Sequence, residues 1–194
     1  MECTFGLPRY AFPLVEETRA KIVGFCMEAL AGSQTPVLLA YSLGKSQELM
    51  AILSQAKIYP VVHDCIAKMS AVYEKHGVHL GSYSIWNGKN HEGNILIVPP
   101  SARARLSKLN GVRSAIISGW AMNDSAIYRY QCDAAFPLSD HTDHGELIEH
   151  VEEVGAKRVY TVHGFTERFA SDLRVLGIDA LALRGGNQLE LLFS

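Results

Sequence analysis

Hydrophobic and polar positions alternate along the chain in two spacings that predict helices and strands. Residues 15–31 carry an apolar stripe at helical spacing, and Gly32 marks its expected end. A short apolar run at 36–41 then leads through a turn into a second helix that reaches about Ala56. This order of strand, turn and helix predicts a β-α unit.

The same unit recurs downstream. Strands are predicted at 59–63, 95–98, 114–118, 134–138 and 159–162, helices up to about Lys75 and at 101–109, 146–154 and 169–176, and two short strands at the end. Residues 78–94 and 121–131 are predicted to be surface loops. Apolar runs without strict alternation are typical of strands covered on both faces. We therefore predict an α/β fold with a mainly parallel sheet, helices on both faces, and a boundary near residue 137.

Composition excludes several classes of protein. The 194 residues are 48% hydrophobic and 20% charged, so the chain can bury a sizeable core. Eighteen basic and twenty acidic side chains leave a formal charge of −2, which excludes a global basic field for nucleic acid. Four dispersed cysteines without a C-x-x-C pair favour a reducing compartment. With neither a signal peptide nor a bilayer-length segment, we expect a soluble cytoplasmic protein with no membrane partner.

A Gly44-Lys45-Ser46 motif lies between a predicted strand and a predicted helix. A phosphate-binding P-loop needs a glycine five positions before Gly44, and that position is Leu39. A triphosphatase is therefore excluded. Amides at the helix start together with Lys45 and Ser46 remain a candidate phosphate contact. Ordinary helix capping beside a solvated lysine is the simpler alternative.

Two histidine motifs follow predicted strands near the end of the chain. Residues 140–144 contain two imidazoles and two carboxylates, and an apolar strand at 159–162 is followed by His163. Open α/β sheets place their sites at the carboxyl ends of strands, although a single histidine there is more often a polar loop residue. Asp140, His141, Asp143 and His163 reach the number of ligands that a metal needs, but we do not expect a complete site from them alone.

One basic stretch contains Arg103, Arg105, Lys108 and Arg113 and no acidic residue. Such a cluster can follow nucleic-acid phosphates by charge. A solvated helix face is the alternative. No aromatic residue is interleaved with these basic residues, so a specific base-reading surface is not indicated.

Four segments together resemble the β-CASP nucleases, a branch of the metallo-β-lactamase fold. They are residues 2–6, 36–49, 139–143 and 159–164, and the two histidine motifs are 22 residues apart. The ligase-associated DNA exonucleases and the mRNA 3′-end processing factors are the most similar members. The resemblance implies a β-CASP-like lobe at 14–136, with 1–13 and 137–194 forming a partial lactamase-like part.

By this resemblance the chain is a zinc-dependent nuclease that hydrolyses RNA or DNA phosphodiesters. Glu2 is expected to orient His141, and His141 to contact the scissile phosphate, with Asp143 as further support. His163 is expected to be a ligand of one of two zinc ions that activate water. Because a carboxylate hydrogen-bonded to imidazole favours the protonated ring, these residue types suit acid catalysis beside a phosphate.

The H-x-H-x-D-H metal motif of that family belongs before residue 2 and is absent here. We therefore expect most of the zinc site to be missing and this chain alone to be inactive or nearly so. The expected partner, besides nucleic acid, is a missing N-terminal half or a second copy bound at an exposed sheet edge. A non-catalytic nucleic-acid-binding or scaffold subunit is the alternative function.

Overall fold

The computed structural model describes residues 1–89, 93–123 and 125–183. The chain forms two compact units. Unit 1 comprises Met1–Phe12 and the chain from His141 onward, and unit 2 comprises Pro13–Asp140. Unit 2 is thus continuous in sequence, whereas unit 1 is assembled from two separate segments.

The helices and strands alternate along most of the chain. In chain order they are β1 (Glu2–Cys3), α1 (Val15–Ala31), β2 (Thr35–Leu39), α2 (Lys45–Gln55), β3 (Val61–Val62), α3 (Asp64–Lys75), β4 (Ser84–Ile85), β5 (Leu96–Val98), a 3-10 helix (Pro100–Lys108), β6 (Val112–Ile117), a 3-10 turn (Gly119–Met122), α4 (Ala126–Tyr130), β7 (Ala134–Phe136), α5 (His144–Val154), β8 (Val159–Gly164), α6 (Thr166–Val175) and β9 (Ala180–Ala182).

Unit 2 contains a six-stranded parallel sheet in the order β4-β3-β5-β2-β6-β7. Side chains of the central strand β2 alternate between its two faces. Leu38 packs in one buried cluster with residues of α1, α2 and α3. Val37 and Leu39 pack in a second cluster with Trp86 and the 3-10 helix. Both faces are covered, so the predicted α/β class with a mainly parallel sheet is confirmed.

Unit 1 contains a smaller parallel sheet in the order β1-β8-β9. Its core joins Cys3, Val159 and Ala180 to buried side chains of α5 and α6. Val162 and Leu181 alternate with these core positions and are 39% and 47% exposed. The second face of this sheet is therefore only partly buried within the described residues.

Several predicted elements differ from the observed ones. The expected loop at 121–131 contains α4, which is too short to show a helical apolar period, and the expected loop at 78–94 contains the two-residue strand β4. The helix expected at 101–109 is a 3-10 helix. The second terminal strand falls outside the described residues. Among the described helices, none combines the length and the hydropathy that a bilayer crossing requires.

Candidate functional site

A hydrogen-bonded carboxylate and imidazole stand at the end of the unit 1 sheet. Glu2 lies in β1, opposite Val162 of the parallel strand β8. His141, which begins the second segment of unit 1, places its Nδ1 2.9 Å from the Glu2 Oε1. Their side chains are 46% and 39% exposed for histidine and glutamate respectively. The contact expected between these two residues is therefore present at a solvent-accessible position.

The pKa of the Glu2 carboxyl is lowered by its neighbours. Partial burial alone would raise this pKa, but hydrogen bonds from the Thr4 hydroxyl, the His141 ring and the Thr4 N–H outweigh it. The Thr4 hydroxyl and N–H reach the Glu2 Oε2 at 2.5 and 2.9 Å. Glu2 is therefore ionised at neutral pH and accepts, so the His141 Nδ1 carries the hydrogen and donates it. This leaves Nε2 as the nitrogen that takes or gives a proton.

The lowered pKa of Glu2 predicts how the stability of unit 1 depends on pH. A carboxyl with a lowered folded pKa stabilises the fold above its unfolded value, here 4.5, and this stabilisation is lost as pH falls through the folded pKa. Because Glu2 is partly exposed, we expect at most about 0.5 kcal/mol. The difference in amide-exchange stability between wild type and Glu2→Gln should be present at about pH 7 and decrease progressively as the pH falls below 4.5. A difference that grows on acidification would contradict this sign.

The strand that carries His163 ends in an unusual backbone. His163 adopts φ +59° and Gly164 φ +74°, two successive residues in the left-handed region. The Cys3 thiol donates to the His163 carbonyl at 3.1 Å. A Cβ on Gly164 would lie 2.4 Å from the Cys3 carbonyl oxygen. The end of β8 is therefore pressed against β1, and it presents His163 as an exposed residue beside the strand that carries Glu2.

A buried aromatic ring packs against His141. Phe5 is 2% exposed, and its ring lies edge-on to Tyr10 and Phe12, with centroids 5.1 and 5.0 Å away. The His141 ring packs against the same phenylalanine at 6.0 Å. Rings at these distances and angles attract each other. Phe5 was not predicted as a site residue, although its place three residues after Glu2 in an apolar segment is a signal for such a role.

Asp143 was predicted to support His141, and the structure gives it a different use. Its carboxylate caps α5 by accepting from the Glu146 N–H at 3.0 Å, and it also accepts from the Phe12 N–H at 2.8 Å. The Glu146 carboxylate accepts in turn from the Asp143 N–H, which completes a capping box. Asp143 therefore joins the two segments of unit 1. This capping role explains why α5 begins at His144, two residues before the predicted start.

Lys45 and Ser46 are buried and are already paired, which corrects their prediction as a phosphate contact. The Lys45 side chain is 3% exposed, and its Nζ lies 2.5 Å from Glu48 and 3.9 Å from Asp140. The Ser46 hydroxyl donates to the Tyr41 carbonyl at 2.7 Å. Neither residue offers a charge or a donor to an external phosphate in this arrangement. The simpler alternative, a solvated lysine, is wrong as well.

The three basic residues predicted to contact nucleic acid have different surroundings. Arg103 is half-buried and donates to the Gln131 carbonyl. Arg105 is exposed and lies 3.2 Å from the His63 ring. Lys108 is exposed at the end of the 3-10 helix. The three side chains do not contact one another in these interactions, and their role toward nucleic acid stays a prediction.

The predicted zinc ligands do not form a metal-binding group in the described residues. Only His63, Asp64 and Cys65 place three ligand atoms within 4.8 Å of one another there. Their position at the positive end of α3, with the Arg105 guanidinium beside His63, opposes a cation. The His63 ring instead accepts from the Cys65 N–H at 3.3 Å, as a helix cap does. Zinc at His163 therefore stays an expectation, and no chemical step is derived from it.

The Glu2 and His141 pair has a limited set of chemical uses. An imidazole held by a carboxylate binds an anion through its second nitrogen or transfers a proton there. The exposure of both side chains lets a polymer reach them. The structure therefore supports a role toward an anionic or proton-exchanging group.

The chain is similar to part of a longer curated protein. No protein-family model matches the chain. A protein of Opitutus terrae named "Probable DNA ligase" is 45% identical to it over 193 residues, which is 98% of this chain. The chain spans 19% of the length of that relative. The match therefore concerns a segment of a much longer protein.

This finding corrects the functional interpretation of the sequence. The relative is named a DNA ligase, so the assignment to β-CASP nucleases, with zinc-dependent cleavage and RNA processing, is wrong. The lobe names given to 14–136 and 137–194 depended on that resemblance and are withdrawn with it. The scaffold-subunit alternative gains no support either. The observed pairing of Glu2 with His141 stands independently of these names.

Proposed function

We propose that this chain is a DNA-contacting segment of a DNA-ligase-type protein, in which the Glu2 and His141 pair meets a phosphate of the DNA strand. The 2.9 Å hydrogen bond between the two partly exposed side chains is the observation that carries this proposal. The name of the relative favours DNA as the polymer, and the match to only 19% of its length favours a segment of a longer protein.

The chemistry of the pair fits a phosphate better than a neutral group. The ionised Glu2 accepts a hydrogen bond from the His141 Nδ1. This bond fixes the orientation of the ring and therefore the direction in which Nε2 points. A protonated imidazole then donates a charge-assisted hydrogen bond to a phosphate oxygen. Phe5 restricts the ring from one side, so less freedom is lost when the phosphate binds.

Replacing His141 with glutamine tests this function. The expected result is about tenfold weaker binding of a labelled nicked DNA duplex, because hydrogen bonds to charged groups contribute about 1.5–3 kcal/mol. Fluorescence anisotropy of the chain at fixed salt measures this affinity. Salt must be held constant, since phosphate binding depends steeply on it.

His150→Gln is the matched control, because His150 is an exposed histidine of α5. It should bind the duplex as the wild type does. Equal affinities of His141→Gln and wild type, or equal losses in the two variants, would contradict the proposed contact. Amide exchange of both variants confirms that unit 1 stays folded.

A further inference from the structure

An exposed tyrosine follows the central strand of the unit 2 sheet. Tyr41 comes two residues after the end of β2 and is 53% exposed. Its carbonyl accepts from the Ser46 N–H and hydroxyl, at 3.1 and 2.7 Å. The backbone of Tyr41 is therefore fixed while its ring faces solvent. A large ring on a fixed backbone can bind a flat partner with little loss of conformational freedom.

A second tyrosine lies beside it. Tyr130, at the end of α4, packs against the buried cluster that contains Val37 and Leu39. Burial raises the pKa of Tyr130 most, and the neighbouring Tyr41 phenol raises it further. Ala40 still donates to the Val98 carbonyl and lies in the opposite cluster with Leu38, so the alternation continues past the end of β2 and places Tyr41 on the face of Leu39. The two tyrosines thus belong to one surface.

Two guanidinium groups accompany these rings. Arg129 lies over the Tyr130 ring, with its central carbon 5.6 Å from the ring centroid. Arg103, on the neighbouring 3-10 helix, donates to the carbonyl of Gln131, the residue after Tyr130. The sequence of residues 101–113 contains no aromatic residue. The fold therefore brings Arg103 close to an aromatic residue from another part of the chain. Tyr41 and Tyr130 come from chain positions far from residues 101–113.

The charge of the chain favours this location for a polyanion. Residues 13–140 contain 12 basic and 10 acidic side chains, whereas the rest of the chain contains 6 and 10. Unit 2 thus carries the positive charge and unit 1 the negative charge. Aromatic faces combined with arginines are the usual means of binding unpaired bases without sequence preference.

We propose that Tyr41, Tyr130, Arg103 and Arg129 form a stacking surface for single-stranded nucleic acid on unit 2. The exposed Tyr41 ring takes a base and the exposed Arg129 guanidinium takes a phosphate, while the half-buried Tyr130 and Arg103 hold this part of the surface in place through their own contacts. This proposal uses neither Glu2 nor His141 and does not depend on the function proposed for that pair.

Substitutions at Tyr41 test the stacking surface. Tyr41→Leu should weaken binding of a labelled oligothymidine by roughly fivefold or more, since stacking on an aromatic side chain is worth that much or more per base. Tyr41→Phe keeps the ring and should bind as the wild type does. Tyr59→Leu is the matched control, because Tyr59 is 57% exposed but precedes β3, at the opposite end of the strands.

Four results would overturn the proposal. They are equal binding by Tyr41→Leu and wild type, an equal loss in Tyr59→Leu, a loss in Tyr41→Phe as large as in Tyr41→Leu, and competition by polyglutamate as strong as by oligothymidine. The last result would indicate an acidic peptide as the partner. Comparison of oligothymidine with oligouridine distinguishes DNA from RNA, and selective binding of either strand supports stacking. Tryptophan fluorescence checks that unit 2 remains folded.

Discussion

Replacing Gly164 with alanine is expected to detach β1 from the unit 1 sheet, at a cost of about 3 kcal/mol or more. The added Cβ would lie 2.4 Å from the Cys3 carbonyl oxygen and 2.5 Å from the Thr4 Cα, both of which are backbone atoms. Alanine is also strained at φ +74°. Since Glu2 and Cys3 form β1, the same substitution should displace Glu2 from His141.

Gly177→Ala separates the two contributions to this loss. Gly177 has φ +82°, but a Cβ there has no neighbour within 4 Å. It should therefore cost about 1 kcal/mol, from backbone strain alone. Amide exchange at Val162 and Phe165, which donate to the carbonyls of Met1 and Cys3, measures the pairing of β1. Similar protection losses in both glycine variants would show that the close contact has no effect.

Replacing Phe5 with alanine should destabilise unit 1 by about 3–5 kcal/mol, the usual cost of removing a buried aromatic ring. The ring is 2% exposed and contacts Tyr10, Phe12 and His141. Its loss leaves a cavity beside the histidine, so the DNA contact proposed for that histidine should weaken as well. Phe5→Leu retains most of the apolar volume and should cost about 1 kcal/mol, mainly through the lost ring contacts.

The two units give separate signals in this experiment. The chain has two tryptophans, Trp86 and Trp120, and both lie in unit 2. Their fluorescence in urea should therefore follow unit 2 and remain near the wild-type curve in Phe5→Ala. Amide exchange in β8 and α6 should report the loss in unit 1. A shift of the tryptophan transition as large as the loss of protection would contradict a local effect.

The sequence predicted most of the fold because its signals were local. The helix α1 begins and ends at its predicted limits, and α2 and α3 end within one residue of theirs, since apolar period and breakers such as Gly32 act over short distances. The helix α4 was not predicted, because a stretch of five residues is too short to show a helical period, and the helix predicted at 101–109 forms as a 3-10 helix instead.

The candidate site was only partly predictable for the opposite reason. Polar residues after strands indicated the region that contains His141 and His163. The burial of Lys45 between Glu48 and Asp140 depends on a partner 95 residues away, which no local pattern reveals. Glu146, three positions later, indicates the capping role of Asp143. The resemblance instead implied that Asp143 supports His141.

Unit 1 is built from two segments separated by the 128 residues of unit 2. Joining them in an unfolded chain requires closing a long loop, which costs conformational entropy before any contact compensates for it. Once residues 13–140 have folded, the effective loop is short and this entropy is already lost. Refolding should therefore proceed in order, with the continuous unit first and the strand β1 among the last elements to settle.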